Sequence, residues 1–259
     1  MDIIFVVLMG GLWGSFANVC IYRLPKGQGV VSGRSHCPKC KKQIVWYDNI
    51  PIISYFLLGG KCRKCKKKIS IQYSLVEFIS IFSFFNIYYL YGITLTTLLL
   101  MILSLSLIII FFIDLKHFII PNSITFPMMA LGFAKSFDPN LDSIFPNYIL
   151  SLLGGLFGYG IIWCITFFYK QIKKKEGMGL GDAKLLSVFG FWFGLKAVPF
   201  VIFLSSAIAS SNAARTTAAN NFLARFPCSV LNADASTKSF ISSSFSYISG
   251  IKRLMYHYD

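Results

Sequence analysis

The chain is patterned in blocks rather than in faces. Long runs with almost no charge alternate with short segments where charge is dense, and inside the runs apolar residues follow one another without the spacing of a one-sided helix. A helix that is apolar all round belongs in a membrane or a large core, and about 20 residues are needed to cross the hydrocarbon layer. Six runs are expected to span: 3–22, 75–92, 95–113, 118–134, 148–169 and 183–209. The last is long enough for a tight pair of short helices broken near Lys196 and Pro199. Pro51 to Gly60 is apolar but too brief to cross, and reads as an interfacial or folded-loop segment. The first run has no basic region ahead of it and is long for a signal core, so it is expected to be a retained span.

Composition agrees with that pattern. The 259 residues are 55% hydrophobic and 14% charged, with a mean hydropathy of +0.63, where ordinary soluble domains carry about 25% charge. A soluble single domain, a disordered chain and a collagen-like chain are excluded. The expected fold is all-α, a polytopic membrane helix bundle. The net charge of +15 is concentrated: twelve of the 25 Lys and Arg lie between Arg23 and Lys68, and Lys170, Lys173, Lys174 and Lys175 form a second cluster. This is the loop asymmetry that orients membrane proteins, so the expected partner of the charge is the membrane face and no nucleic acid is expected. With residues 23–74 in the cytoplasm, the N-terminus lies outside, 170–182 inside and 135–147 outside. The expected organisation is a first span (1–22), a cytoplasmic loop (23–74), a membrane core (75–209) and a polar tail (210–259). From Ser210 to Ser249, 24 of 40 residues are Ser, Thr, Asn or Ala, and this tail is expected to be disordered.

Two of the ten acidic residues abut apolar runs. Asp114 follows Leu107–Ile113 and Asp182 precedes the run beginning at Ala183. Acids at a membrane edge are costly and point to function; a plain helix-capping role is the simpler alternative. Alternation of the spans puts both at the cytoplasmic edge. Two carboxylates that share a proton can hydrolyse a peptide bond, one ionised and activating water, the other protonated and binding the scissile carbonyl. Gly177, Gly179 and Gly181 precede Asp182, and such alternating glycines let a backbone approach an extended substrate.

Cys37-Pro38-Lys39-Cys40 and Cys62-Arg63-Lys64-Cys65 form two Cys-x-x-Cys pairs. Together they offer a tetrahedral four-thiolate site of the kind Zn²⁺ takes in structural roles, with the neighbouring Lys and Arg expected to favour the thiolates. The loop is therefore expected to bind zinc. Cys20, Cys164 and Cys228 have no such partner and are expected to be apolar packing residues.

These pieces occur in order with others: Gly14-Ser15-Phe16-Ala17-Asn18-Val19, Tyr22-Arg23-Leu24-Pro25, Tyr73, Leu75-Val76-Glu77, Asp114 with Ile120-Pro121-Asn122, and Gly179 to Lys184. Over about residues 8–200 the chain resembles the type IV prepilin peptidases, intramembrane aspartyl proteases with a Gly-x-Gly-Asp signature. The resemblance implies a bifunctional enzyme of the bacterial inner membrane. It would cleave the basic leader of type IV prepilins or pseudopilins at the cytoplasmic face, then methylate the new N-terminus with S-adenosylmethionine. It implies Asp114 and Asp182 as the catalytic pair, Gly179, Gly181 and Lys184 as substrate-binding residues, and Cys37, Cys40, Cys62 and Cys65 as zinc ligands. Asn18, Arg23 and Glu77 are implied for the methyl donor, with Arg23 also readable as a lipid-phosphate anchor and Glu77 as the partner of a loop lysine. Gln72 and Ser74 depart from the family pattern, as does the tail. The alternatives are a protease-only relative of the preflagellin type, an inactive truncated homologue and a proton-coupled transporter.

Overall fold

The structure is a computed structural model, and it describes residues 2–30, 37, 40, 42–45, 51–141, 145–173 and 180–203. Gly179, Cys228 and the expected tail lie outside the described residues. The helices used below are α1 (Asp2–Arg23), α2 (Ile53–Leu57), α3 (Gln72–Tyr91), α4 (Leu95–His117), α5 (Asn122–Ala134), α6 (Tyr148–Lys173) and α7 (Leu180–Phe193). Among the described residues there is no strand; Lys61 and Lys68 form an isolated bridge. Four helical stretches, Asp2–Lys26, Gln72–Tyr91, Leu95–His117 and Tyr148–Ile172, are long and apolar enough to cross a membrane. The fold is the all-α membrane bundle that the hydropathy pattern predicts.

Two of the six expected spans are not full-length helices. The run 118–134 holds only the 13-residue α5, with Pro127 inside it, and 183–209 begins with the 14-residue α7. At 1.5 Å per residue each is about 20 Å long, short of a crossing of about 30 Å. α5 starts late because Pro121 precedes it, and Lys135–Phe137 continues it only as a 3₁₀ turn. α7 stops at Phe193 because Gly194 takes a φ of 77°, after which 197–203 is helical again. The break falls just ahead of the Lys196–Pro199 position read from the sequence.

The chain divides into two compact units, residues 1–124 and 125–259. In the first, α1 packs on α3 and α4, and α3 on α4. The α1–α3 seam is built on glycine. A Cβ at Gly10 would stand 2.8 Å from the Ile81 Cα, and one at Gly14 would stand 2.8 Å from the Glu77 Cα. Small residues four apart bring helix backbones together where lipid removes the hydrophobic drive for association. The outward face of α1, with Ile4, Phe5, Leu8 and Leu12, is exposed and apolar, as a lipid-facing surface requires.

In the second unit α6 and α7 form an equally close pair. A Cβ on Gly154 would lie 2.5 Å from the Gly190 carbonyl oxygen. Two hydroxyls stitch the seam: Ser187 donates to the Gly155 carbonyl at 2.9 Å and Ser151 to that of Phe191 at 2.7 Å. Trp192 is fully buried and donates from Nε1 to the Met128 carbonyl at 2.9 Å. Lys135, also buried, donates to the Trp192 carbonyl at 3.0 Å while its ammonium sits 3.7 Å from the centre of the Phe145 ring. Burial pulls the Lys135 pKa down to about 8.

Candidate functional site

The four cysteines of the basic loop converge. The sulfurs of Cys37, Cys40, Cys62 and Cys65 all lie within 4.8 Å of one another, and Cys37 Sγ is 4.0 Å from Cys65 Sγ. A tetrahedral zinc with bonds of about 2.3 Å requires sulfur–sulfur edges of about 3.8 Å, so a small contraction would close the site. The local backbone explains the convergence. The N–H of Cys37 donates to the Lys42 carbonyl and that of Cys62 to the Lys67 carbonyl, both at 2.9 Å. The same five-residue return follows the first cysteine of each pair. The four-cysteine cluster fits a zinc-binding loop, and a closed four-ligand set is the chemistry of a structural metal.

The thiols differ in acidity. Hydrogen bonding from the Cys65 N–H, working against burial, draws the Cys62 pKa down to about 7. The Lys67 N–H favours the Cys65 thiolate too, but burial and the neighbouring thiols outweigh it and push that pKa up to about 11. Main-chain N–H groups, rather than the Lys and Arg side chains that the sequence suggests, are what favour the Cys62 thiolate.

Beside the cluster lies a cavity of about 190 Å³. Cys37 and Cys62 form part of its wall, and the ends of α1 and α3 supply Asn18, Arg23 and Glu77. These three are only 7%, 8% and 8% exposed. Asn18 donates from Nδ2 to the Tyr73 carbonyl at 3.0 Å. Arg23 donates to the carbonyls of Gly29 at 3.2 Å and Val30 at 3.5 Å, so it is buried against the loop rather than placed as a surface anchor. Among the described residues, Glu77 accepts from the Ile52 N–H at 2.8 Å and from the Ser15 hydroxyl. Ile52 has a φ of 62°, an uncommon strain for a β-branched residue. Neither contact is visible in local sequence, because that of Ile52 depends on where the segment before α2 returns to the membrane helices and that of Ser15 on how α1 packs against α3. Cys20 is buried as expected, whereas Cys164 is exposed on α6.

Asp114 lies in the last turn of α4, half-buried beside the fully buried Ile113. Its carbonyl accepts the Phe118 N–H at 2.9 Å, and Phe118, with a φ of 53°, closes the helix. Asp182 is the third residue of α7 and also half-buried. A helix N-terminus favours an ionised carboxylate there. Gly181 shares that first turn, and the Lys184 ammonium is 5.5 Å from the centre of the Phe126 ring. The two aspartates belong to different units.

Helices long and apolar enough to cross a membrane, together with a four-cysteine loop, define a class of integral membrane protein. The comparisons sharpen it. Residues 8–91 match the model of the bacterial peptidase A24 N-terminal domain, and residues 101–212 that of the type IV leader peptidase family. The chain is 37% identical over 225 residues to a prepilin leader peptidase/N-methyltransferase of Neisseria gonorrhoeae, covering 78% of this chain and 77% of the relative. A protein of the same name from Vibrio cholerae is 36% identical over 221 residues, covering 81% and 85%. One from Pseudomonas aeruginosa is 32% identical over 225 residues, covering 78% and 76%. No solved structure matches. The chain belongs to the type IV leader peptidase family.

Proposed function

We propose that this protein removes the basic leader of type IV prepilins or pseudopilins at the cytoplasmic face of the inner membrane, and then methylates the new N-terminus from S-adenosylmethionine. The observation that carries the reading is the placement of Asp114 and Asp182, each at the end of a helix and half-buried, inside the stretch that matches the leader peptidase model. One carboxylate, ionised, takes a proton from water as the water oxygen attacks the scissile carbonyl carbon. The other, protonated, donates to the carbonyl oxygen and stabilises the developing charge. On collapse the amine nitrogen leaves with a proton. Gly179, Gly181 and Lys184 are proposed to border the substrate backbone beside Asp182.

The methyl-transfer half rests on the cavity. Asn18, Arg23 and Glu77, remote in sequence, line it with the rings of Tyr22, Tyr55 and Tyr73. Aromatic faces and buried polar groups suit a nucleoside carrying an amino acid. When bound, S-adenosylmethionine supplies an electrophilic methyl carbon; the chain's own part is to hold donor and amine in line and keep water out. Zinc at the four cysteines is proposed to fix the loop that forms one wall. The both-activities reading is favoured over a protease-only one by the cysteine loop and by the names that the relatives carry.

The test is incubation of the detergent-purified protein with a prepilin and labelled S-adenosylmethionine, read by intact mass. Loss of the leader followed by a gain of one methyl group is expected. An unchanged prepilin would overturn the reading, and cleavage without methylation would reduce it to the protease alone. Single-cysteine labelling at Lys170 from each side of the membrane checks the orientation, which requires access from the cytoplasm.

A further inference from the structure

Buried carboxylates are normally paired with an opposite charge. Among the described residues, the partners of Glu77 are instead neutral: a main-chain N–H from Ile52 and a hydroxyl from Ser15. Both donors bond the carboxyl group without bringing an opposite charge to it. They also orient it. Ile52 reaches Glu77 through a left-handed backbone that a β-branched residue adopts only under constraint, so the carboxylate is fixed in the wall before any ligand arrives. Arg23, the buried base on the same wall, points its guanidinium at the carbonyls of Gly29 and Val30.

The remaining bases of the cavity are distributed differently. Lys42, Arg63 and Lys64 all come from the cysteine loop and all are exposed, so they mark its rim. The same cavity is lined by Tyr22, Tyr55 and Tyr73, and aromatic faces attract cations. Among the described residues the cavity therefore combines one buried carboxyl group, that of Glu77, with exposed bases.

We propose that the cavity selects an onium cation, held against Glu77, in a ligand whose acidic end faces Lys42, Arg63 and Lys64. The proposal rests on the methyl-transfer reading above and deepens it by assigning the ligand's orientation. Two onium groups share this chemistry: the sulfonium of the methyl donor and the N-terminal ammonium of the cleaved peptide.

Calorimetric titration of the full-length protein in detergent separates them. S-adenosylmethionine is compared with S-adenosylhomocysteine, which differs by one methyl group and the sulfonium charge, and a mature pilin N-terminal peptide is compared with its N-acetylated form. In one of these pairs the cationic member should bind at least about tenfold tighter, as expected for recognition by a desolvated charge. Glu77→Gln should shrink that preference to about twofold or less. Arg63→Gln with Lys64→Gln should instead weaken both members of the pair alike. Preference in the first pair identifies the sulfonium, and preference in the second identifies the ammonium. Absence of charge preference in both pairs with the unaltered protein overturns the proposal whether or not the Glu77 variant folds, as does a preference that survives Glu77→Gln. If neither nucleoside binds while leaders are still cleaved, the methyl-donor reading fails separately, and the peptide pair alone decides the role of Glu77.

Discussion

Asn18 on α1 donates from its side-chain Nδ2 to the main-chain carbonyl of Tyr73 on α3 at 3.0 Å, across 55 positions of sequence. The bond joins the two helix ends that carry Arg23 and Glu77, and it satisfies a carbonyl in the wall of the cavity.

Asn18→Leu should remove that donor and strand the carbonyl, at a cost of about 1–3 kcal/mol. Thermal unfolding in detergent should show the loss, and methyl incorporation should fall further than leader cleavage. Equal losses of the two activities would mark the bond as a general strut of the α1–α3 pair.

Asp114→Asn and Asp182→Asn should each abolish leader cleavage while the protein still inserts and resists heat as before. An amide keeps the volume and the hydrogen-bonding capacity but cannot share the proton that the reaction needs. Prepilin processing followed on a gel decides it, and near-normal turnover in either variant would remove that residue from the catalytic pair.

Cys40→Ser should lower bound zinc from one equivalent per chain, measured by mass spectrometry of metals. Unfolding temperature and methyl transfer should fall with it, because loop and cavity share Cys37 and Cys62. Full activity in protein stripped of metal would show that the thiols hold the wall by themselves.

Lys135 should make stability depend on alkaline pH. Its pKa lies near 8 in the folded protein against an ordinary value of 10.5, so the unfolded chain binds the proton more tightly. Stability should therefore rise as pH increases from about 8 to about 10.5, by on the order of 3 kcal/mol at most. Lys135→Met should flatten that rise in unfolding scans across the interval.

Much of this was legible in the sequence because the signals are local. Charge-free runs gave α1, α3, α4 and α6, and the cysteine spacing gave the cluster. Helix length was less legible: hydropathy sees the apolar run 118–134 but not that its helix begins only after Pro121 and covers 13 residues. The cavity was legible only in part. Asn18, Arg23 and Glu77 were singled out through the family resemblance, but their partners were not, because Ile52 and the carbonyls of Gly29 and Val30 meet them through loop closure, and Ser15 through the packing of α1 on α3, rather than through any periodic pattern. Lys135 escaped notice for a related reason, since a lone lysine beside a turn reads as solvated until Trp192 and Phe145 are seen to enclose it.

The glycine contact between α6 and α7 has a consequence for motion. Backbones in direct contact, with Ser151 and Ser187 bonded across them, leave no compliant layer of side chains along which one helix could slide past the other. The pair behaves as one stiff lever with Asp182 near the end of one arm. Any displacement of Asp182 must swing α6 with it, so its travel is set by pivots outside the seam.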